Sequence, residues 1–301
     1  MGAGHSHAHD NGHGHAPADF GRAFAIGVVL NTGFVIVEAV FGVLSGSMAL
    51  VADAGHNLSD VLALLLAWGA SVAAKRPASP RFTWGFKSST ILAALANATL
   101  LLVAIGMILV ETLTRLLDPR PVEAGTVMLV AGIGVVINAA TALLFLRGRA
   151  HDINIRGPYL HMAGDALVSV GVVAAGGLIL LTGLQWIDPL TSLVIVAVIA
   201  WGTWGLLADS VKMGMLGVPA GIDEGAVRAY LAGLPGVSAI HDLHIWPMST
   251  TETALTAHLV MPGGHPGDNF LAEVAHELAH HHRIGHTTVQ VELDRACADG
   301  C

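Results

Sequence analysis

Six long apolar segments dominate this 301-residue chain and restrict its fold more than any other feature. A helix needs about 20 predominantly apolar residues to cross the hydrocarbon core of a bilayer. The segments that reach this length are 20–44, 48–74, 88–113, 124–146, 158–182 and 189–209. Charged residues make up only 12% of the chain, and the mean hydropathy is +0.66. Ordinary soluble domains contain about 25% charged residues. The sequence therefore predicts an α-helical membrane domain with six transmembrane helices over residues 20–210.

The basic residues of the predicted loops indicate how these helices are oriented. Lys and Arg accumulate in the cytoplasmic loops of membrane proteins. Only Arg115 and Arg120 fall on one side of the predicted bundle. The opposite side holds Arg22, Lys75, Arg76, Arg81, Lys87, Arg147, Arg149, Arg156 and Lys212. We therefore expect both termini in the cytoplasm. The formal net charge of -8 argues against a nucleic-acid partner, which requires a basic surface.

The composition changes after about residue 217 to that of a small soluble domain. Residues 222–234 and 267–283 have the apolar spacing of helices. The segments that follow each of them are rich in β-branched residues and have the alternation of strands. The predicted strands are 237–246, 252–261 and 287–293. The order α-β-β-α-β predicts a compact α+β cytoplasmic domain over 217–296, with both helices on one face of the sheet. Such a domain is better suited to metal binding or dimerisation than to catalysis.

Two His-x-x-x-Asp motifs interrupt the apolar segments, and both are energetically costly there. His56 and Asp60 form the first motif, and His161 and Asp165 form the second. On a helix, positions i and i+4 lie on the same face. Each mid-membrane Asp costs about 2.5–3.5 kcal/mol on insertion scales. A bound dication compensates this cost, since metal binding contributes on the order of 10 kcal/mol. Two such helices face to face predict a four-ligand site for a divalent transition metal, typically zinc.

Other polar residues near the motifs are candidates for orienting the ligands. Asp53 lies one turn before His56 and is either a hydrogen-bond acceptor behind the ligands or a proton-binding group. Asn57 and Ser169 either orient the histidines, as groups behind metal ligands usually do, or form hydrogen bonds between helices. Glu38 is unusual because a carboxylate in a transmembrane segment is rare.

Four segments of the chain resemble the cation diffusion facilitator family. They are 44–60 and 154–166, which contain the two motifs, 82–94, which includes FTWGFK and ILAA, and HDLHIW at 241–246. The resemblance implies a homodimeric exporter that moves zinc or a similar dication out of the cytoplasm in exchange for protons. It implies a transport site at His56, Asp60, His161 and Asp165, the residues already reached from their spacing. A bacterial inner membrane suits the absence of a recognisable targeting signal.

The preferred metal follows from the donor set of this site. Two histidines with two aspartates resemble the zinc-preferring members of the family, whereas manganese- and iron-handling members usually lack the histidines. Imidazole suits zinc and its neighbours, and sets made only of oxygen suit harder ions. Cobalt, cadmium and nickel remain open. We expect no catalytic cofactor. Zinc or a similar divalent cation would be the transported ion, and the same ion is a candidate regulator.

The resemblance also implies a metal site in the cytoplasmic domain. Its ligands would be His241, His258, Glu292 and Asp294. Cys297 and Cys301 follow in a short tail, 297–301. Thiolates are good zinc ligands in a reducing cytoplasm. The cysteines are either additional ligands or two thiols without a role.

The first nineteen residues form a His-rich segment whose composition predicts disorder. The histidines alternate with small residues at His5, His7, His9, His13 and His15. Such a segment either captures metal weakly for loading or serves as a spacer.

The sequence also offers two other interpretations of function. His276-Glu277-Leu278-Ala279-His280 matches the H-E-x-x-H motif of zinc proteases, which would make the chain a membrane metalloprotease. That function leaves both intramembrane motifs unexplained, and we expect a transporter rather than an enzyme. A metal channel without proton coupling would use the same transport site.

Overall fold

The computed structural model describes the backbone of residues 20–146 and 153–294. Within these ranges it also describes the side chains, with the exception of those at 20–28, 30–31, 63–64, 67–68, 71, 144–146 and 153–161. Six long helices come first: α1 Phe20–Ser45, α2 Met48–Ala74, α3 Ser89–Leu117, α4 Ala124–Leu146, α5 Ile153–Thr182 and α6 Ile187–Gly214. Two shorter helices and three strands follow: α7 Glu224–Ala232, β1 Ala239–Pro247, β2 Thr253–Val260, α8 Asp268–His282 and β3 His286–Glu292. The predicted six-helix membrane domain followed by an α-β-β-α-β domain is confirmed.

The long helices are suited to a hydrocarbon environment. Within the described residues, four segments are long and apolar enough to cross a membrane: Ser89–Leu117, Ala124–Leu143, Met162–Thr182 and Ile187–Gly214. A shorter apolar segment, Thr32–Ser45, belongs to α1. The outer surfaces of these helices carry large exposed apolar side chains such as Leu181 and Trp201. An extended apolar surface of this kind is costly in water, so lipid is its natural solvent.

Small residues allow the helices of the bundle to approach one another closely. A Cβ atom added to Gly134 would lie 2.7 Å from the Phe34 ring, and one added to Gly176 would lie 2.7 Å from Met128 Cγ. Contacts of this length require the hydrogen of glycine, a common device where transmembrane helices pack. The core of the bundle is formed by Phe34, Ala49, Leu50, Ala52, Ile105, Val127, Val130, Ala131, Val172, Ile195, Val196 and Ile199.

The beginning of α2 is fixed by a carboxylate from α6. Ser47 is the N-cap residue, and its hydroxyl accepts a hydrogen bond from Leu50 N. The same hydroxyl donates to Asp188, whose other carboxylate oxygen accepts a 2.6 Å hydrogen bond from Met48 N. The free N–H groups and the positive end of the helix dipole favour a negative charge at this position. Asp188 is buried, so this contact holds α2 in a defined position relative to α6.

The cytoplasmic domain has one sheet and one core. The strand order is β1-β2-β3; β1 and β2 are antiparallel, and β2 and β3 are parallel. Val227 and Leu231 of α7 and Val274 and Leu278 of α8 share a core with Leu255 and its neighbours in the sheet. Helix α8 forms the crossover that the parallel pairing of β2 and β3 requires.

The segment between α2 and α3 contacts the cytoplasmic domain. Lys87 forms an ion pair with Glu252 at the turn between β1 and β2. The backbone N–H of Thr250 donates a 3.0 Å hydrogen bond to the Thr90 hydroxyl at the beginning of α3. These contacts connect the domain to α3 directly, in addition to the peptide connection after α6.

The observed helices extend beyond the predicted apolar segments by about one turn at three ends. Helix α5 begins at Ile153 instead of 158, α3 continues to Leu117 instead of 113, and α6 continues to Gly214 instead of 209. The additional turns contain charged residues such as Arg115 and Lys212. Hydropathy detects the lipid-embedded part of a helix and not the turns that project into water.

Candidate metal centres

Helices α2 and α5 bring three of the four predicted transport ligands together. His56 and Asp60 lie one turn apart on α2, with His56 Nε2 3.8 Å from Asp60 Oδ2. Asp165 of α5 contributes Oδ1, which lies 3.4 Å from the same nitrogen. One donor atom from each residue lies within 4.8 Å of the donor atoms of the other two. The side chain of His161 lies outside the description, but its position in α5 is four residues before Asp165 and so on the same helix face.

These three groups form a set of one nitrogen and two oxygen donors. Asp165 is buried, and its carboxylate is on the bundle side of α5. His56 and Asp60 are partly exposed, with 20% and 32% of their side-chain surface accessible. A divalent ion would therefore have one ligand inside the bundle and two ligands that keep part of their surface accessible.

A buried polar network lies directly behind this set. Asp53, on α2, accepts a 3.0 Å hydrogen bond from the Ser169 hydroxyl of α5. Asn57, next to His56 in the chain, donates a 3.1 Å hydrogen bond to Glu38 Oε2 of α1. All four side chains are buried. These hydrogen bonds connect α1, α2 and α5 around the three donors. Glu38 is part of this network through Asn57, a partner that the sequence did not reveal.

A second set of donors lies in the cytoplasmic domain, on all three strands. His241 of β1 pairs with His258 of β2 in the strand register, and the two rings lie 5.0 Å apart. Glu292, at the end of β3, is 2.8 Å from a ring nitrogen of each histidine. The donor atoms of the three residues lie within 4.8 Å of one another. The hydrogen bond with His241, together with the charges of both histidines, lowers the pKa of Glu292. The carboxylate is therefore available as a ligand.

Asp242 joins this cluster and was not among the predicted ligands. Its Oδ2 lies 3.3 Å from His258 Nε2, and its Oδ1 lies 2.7 Å from His244 Nε2. Neighbouring residues of a regular strand point to opposite faces of the sheet. The register between β1 and β2 shifts between His241 and His244, and Asp242 has φ 51°. This irregularity of β1 allows the Asp242 carboxylate to reach His258. The only indication in the sequence was that Asp242 stands between two histidines in the segment HDLH.

Among the other predicted ligands, only Asp294 is within the described residues, and it does not belong to the sheet cluster. Asp294 is exposed beyond the end of β3. Cys297, Cys301 and the five histidines at 5, 7, 9, 13 and 15 lie outside the described residues.

The H-E-x-x-H motif lies on the exposed face of α8. His276 and His280 are exposed, and Glu277 Oε1 lies 3.7 Å from His281 Nε2, one turn further along. The motif therefore faces solvent at the surface of the cytoplasmic domain.

Comparisons with known proteins cover both parts of the chain. The family model for the cation efflux transmembrane domain matches residues 24–213, and that for the cytoplasmic domain of cation efflux proteins matches residues 219–294. The metal cation efflux system protein CzcD of Cupriavidus metallidurans is 37% identical over 97% of this chain and 91% of its own length.

Two further relatives have transport functions in their names. The cadmium, cobalt and zinc/H(+)-K(+) antiporter of Bacillus subtilis is 34% identical over 91% of this chain and 89% of its own. The zinc transporter ZitB of Escherichia coli is 36% identical over 92% of this chain and 88% of its own length. Among solved structures, the metal-bound C-terminal domain of CzcD from Cupriavidus metallidurans is 36% identical, with a TM-score of 0.23, over 24% of this chain and all of that one.

Proposed function

The chain belongs to the cation efflux family, and from that membership we propose that it exports zinc, and related divalent ions, from the cytoplasm in exchange for protons. Members of this family are transporters, so the chain is not an enzyme. It is a multi-pass membrane protein. The observation that supports the proposal most strongly is the convergence of His56, Asp60 and Asp165 from two helices within the membrane domain. The names of the relatives support zinc, cobalt and cadmium as candidate ions.

The proposed transport site consists of these three residues and His161. Four nitrogen and oxygen donors match the tetrahedral coordination of zinc. Two carboxylates balance the charge of a dication while both histidines are neutral. The loaded site then carries no net charge, which lowers the cost of holding it within a membrane. Four histidines would leave two positive charges uncompensated.

Proton exchange follows from the chemistry of the same donors. Ligands bind metal as carboxylate and neutral imidazole, so metal and protons compete for them. An unperturbed imidazole titrates near pH 6.5, within the range in which the two sides of a bacterial membrane differ. We propose that zinc displaces protons on the cytoplasmic side, that α2 and α5 then expose the site to the opposite side, and that protons displace the zinc there.

The arrangement of the protein in the membrane is also part of the proposal. Both termini and the α+β domain lie in the cytoplasm, in a bacterial inner membrane, and two copies form a homodimer. The domains are a His-rich tail at 1–19, the membrane domain at 20–210, the metal-binding and dimerisation domain at 217–296 and a cysteine-containing tail at 297–301. The family to which the cytoplasmic segment belongs supports its role in dimerisation.

The test is metal uptake by proteoliposomes that contain the purified protein. Zinc should accumulate in the vesicles, and added cobalt or cadmium should compete with it. Magnesium should not compete, since it prefers sites built only from oxygen. Vesicles that take up no more zinc than protein-free controls would refute the proposal.

A further inference from the structure

We propose that His276 and His280 form a separate binding site for a divalent transition metal on the surface of the cytoplasmic domain. The two rings lie one above the other on α8, with their centroids 4.2 Å apart and their planes tilted by 38°. Helical residues at i and i+4 are the standard two-histidine arrangement for binding one zinc ion, as the zinc-protease motif illustrates. Imidazole pairs bind zinc, copper, nickel and cobalt in preference to magnesium or calcium.

The surroundings of the pair leave both rings available to an ion. Both side chains are exposed, and neither has a hydrogen bond or ion pair within the described part of the chain. The neighbouring histidines differ in this respect. His281 is paired with Glu277, and His282 packs on the Tyr230 ring at 5.5 Å. The spacing and the absence of competing partners therefore select His276 and His280 within this His-rich helix.

This site is distinct from the cluster on the sheet. Val274 and Leu278 are buried in the core of the domain. Residues two positions apart on a helix point about 200° apart, so His276 and His280 face away from that core. The ion would have two protein donors and complete its coordination with water. Such a site binds more weakly than the three-donor set of His241, His258 and Glu292, and it exchanges metal with the cytoplasm more readily.

Residue-level footprinting of the full-length protein tests the proposal without reference to transport. Diethylpyrocarbonate modifies exposed, unligated imidazoles, and mass spectrometry reports the modification at each histidine. Added zinc should protect His276 and His280 together, with one common midpoint. Linking two donors raises affinity by roughly 10²-fold or more over a single donor. In His276→Ala, protection of His280 should therefore require on the order of a hundredfold more zinc, and the reciprocal should hold for His280→Ala.

His281→Ala is the matched control, because it removes an exposed imidazole from the same turn of α8 without breaking the pair. It should leave the midpoint for His276 and His280 unchanged. Different midpoints for the two rings in the unsubstituted protein, or a midpoint for His280 that is unaffected by His276→Ala, would overturn the proposal. A failure of zinc transport would bear only on the intramembrane site, since this footprint is read on the cytoplasmic surface.

Discussion

Nε2 of His56 lies 3.4 Å from Oδ1 of Asp165, although the two residues belong to different helices. Asp60 lies on the helix of His56 and therefore moves with it. A displacement of α2 relative to α5 changes the distance between His56 and Asp165. It leaves the distance between His56 and Asp60 unchanged, because both residues belong to α2. The affinity of the proposed site for metal therefore depends on how these two helices are packed, and this dependence is what a carrier needs to bind an ion on one side and release it on the other.

Replacing either carboxylate of the proposed site should abolish transport. Asp60→Ala and Asp165→Ala each remove one ligand and leave the charge of the dication partly uncompensated. We expect zinc uptake by proteoliposomes to fall to the level of protein-free vesicles, while the amount of protein in the membrane stays the same. Asp118→Ala is the control, because Asp118 is an exposed carboxylate at the end of α3. Near-normal uptake by either site variant would show that the transport ligands lie elsewhere.

Removing the carboxylate that caps α2 should destabilise the membrane domain. Asp188→Ala removes the acceptor for Ser47 and for Met48 N, and losing a capping interaction costs about 0.5–2 kcal/mol. The thermal unfolding midpoint in detergent should decrease, and zinc uptake should decrease with it. Thr191→Ala is the comparison, since within the described residues that hydroxyl donates only to the carbonyl of Ile187 in its own helix. Equal midpoints for the two variants would contradict the capping role of Asp188.

The helices and the common face of His56 and Asp60 could be predicted from the sequence because both are local patterns. Hydropathy defines the apolar core of each helix, and the i, i+4 spacing defines the shared face. Contacts between distant segments have no such signal. The hydrogen bonds between Asp188 and the beginning of α2 connect residues about 140 positions apart, and nothing in either segment indicates the other. The partner of Glu38 depends in the same way on how α1 packs against α2.

The sheet cluster gives a second example of this limit. The alternation of β1 predicts that His241 and Asp242 point to opposite faces. The irregularity at Asp242 overrides that alternation and brings its carboxylate to His258. Such local distortions depend on the pairing with β2, which a single strand sequence does not contain.

Removing both histidines of the sheet cluster should reduce the metal content of the protein. In a chain that lacks residues 1–17, His241→Ala combined with His258→Ala leaves Glu292 without either imidazole. After equilibrium dialysis against zinc, the variant should hold about one ion fewer per chain, since one three-donor site is lost. His265→Ala, an exposed histidine elsewhere in the domain, should not change the zinc content. An unchanged content in the double variant would remove this cluster from the list of metal sites.

Deleting residues 1–17 should slow transport only when zinc is scarce. A segment with alternating histidines raises the local supply of metal but contributes no ligand to the transport site. The zinc concentration for half-maximal uptake should rise, and the maximal rate should stay the same. A chain of full length with alanine at His5, His7, His9, His13 and His15 separates the effect of the imidazoles from that of the length. A reduced maximal rate in the alanine chain would contradict the capture role.

The dependence of zinc flux on an opposing pH gradient tests the central claim most directly. Zinc and protons compete for the same donors in this account, so protons on the far side should promote release of the ion and return of the carrier. Proteoliposomes are loaded at pH 6 or pH 8 and supplied with zinc at pH 8 outside. The account predicts faster zinc uptake into the acidic vesicles, together with alkalinisation of their interior, and an apparent zinc affinity that decreases steadily as the external pH is lowered from 8 to 6. Equal uptake in both preparations, with zinc moving only down its own gradient, would contradict the exchange mechanism and favour a channel.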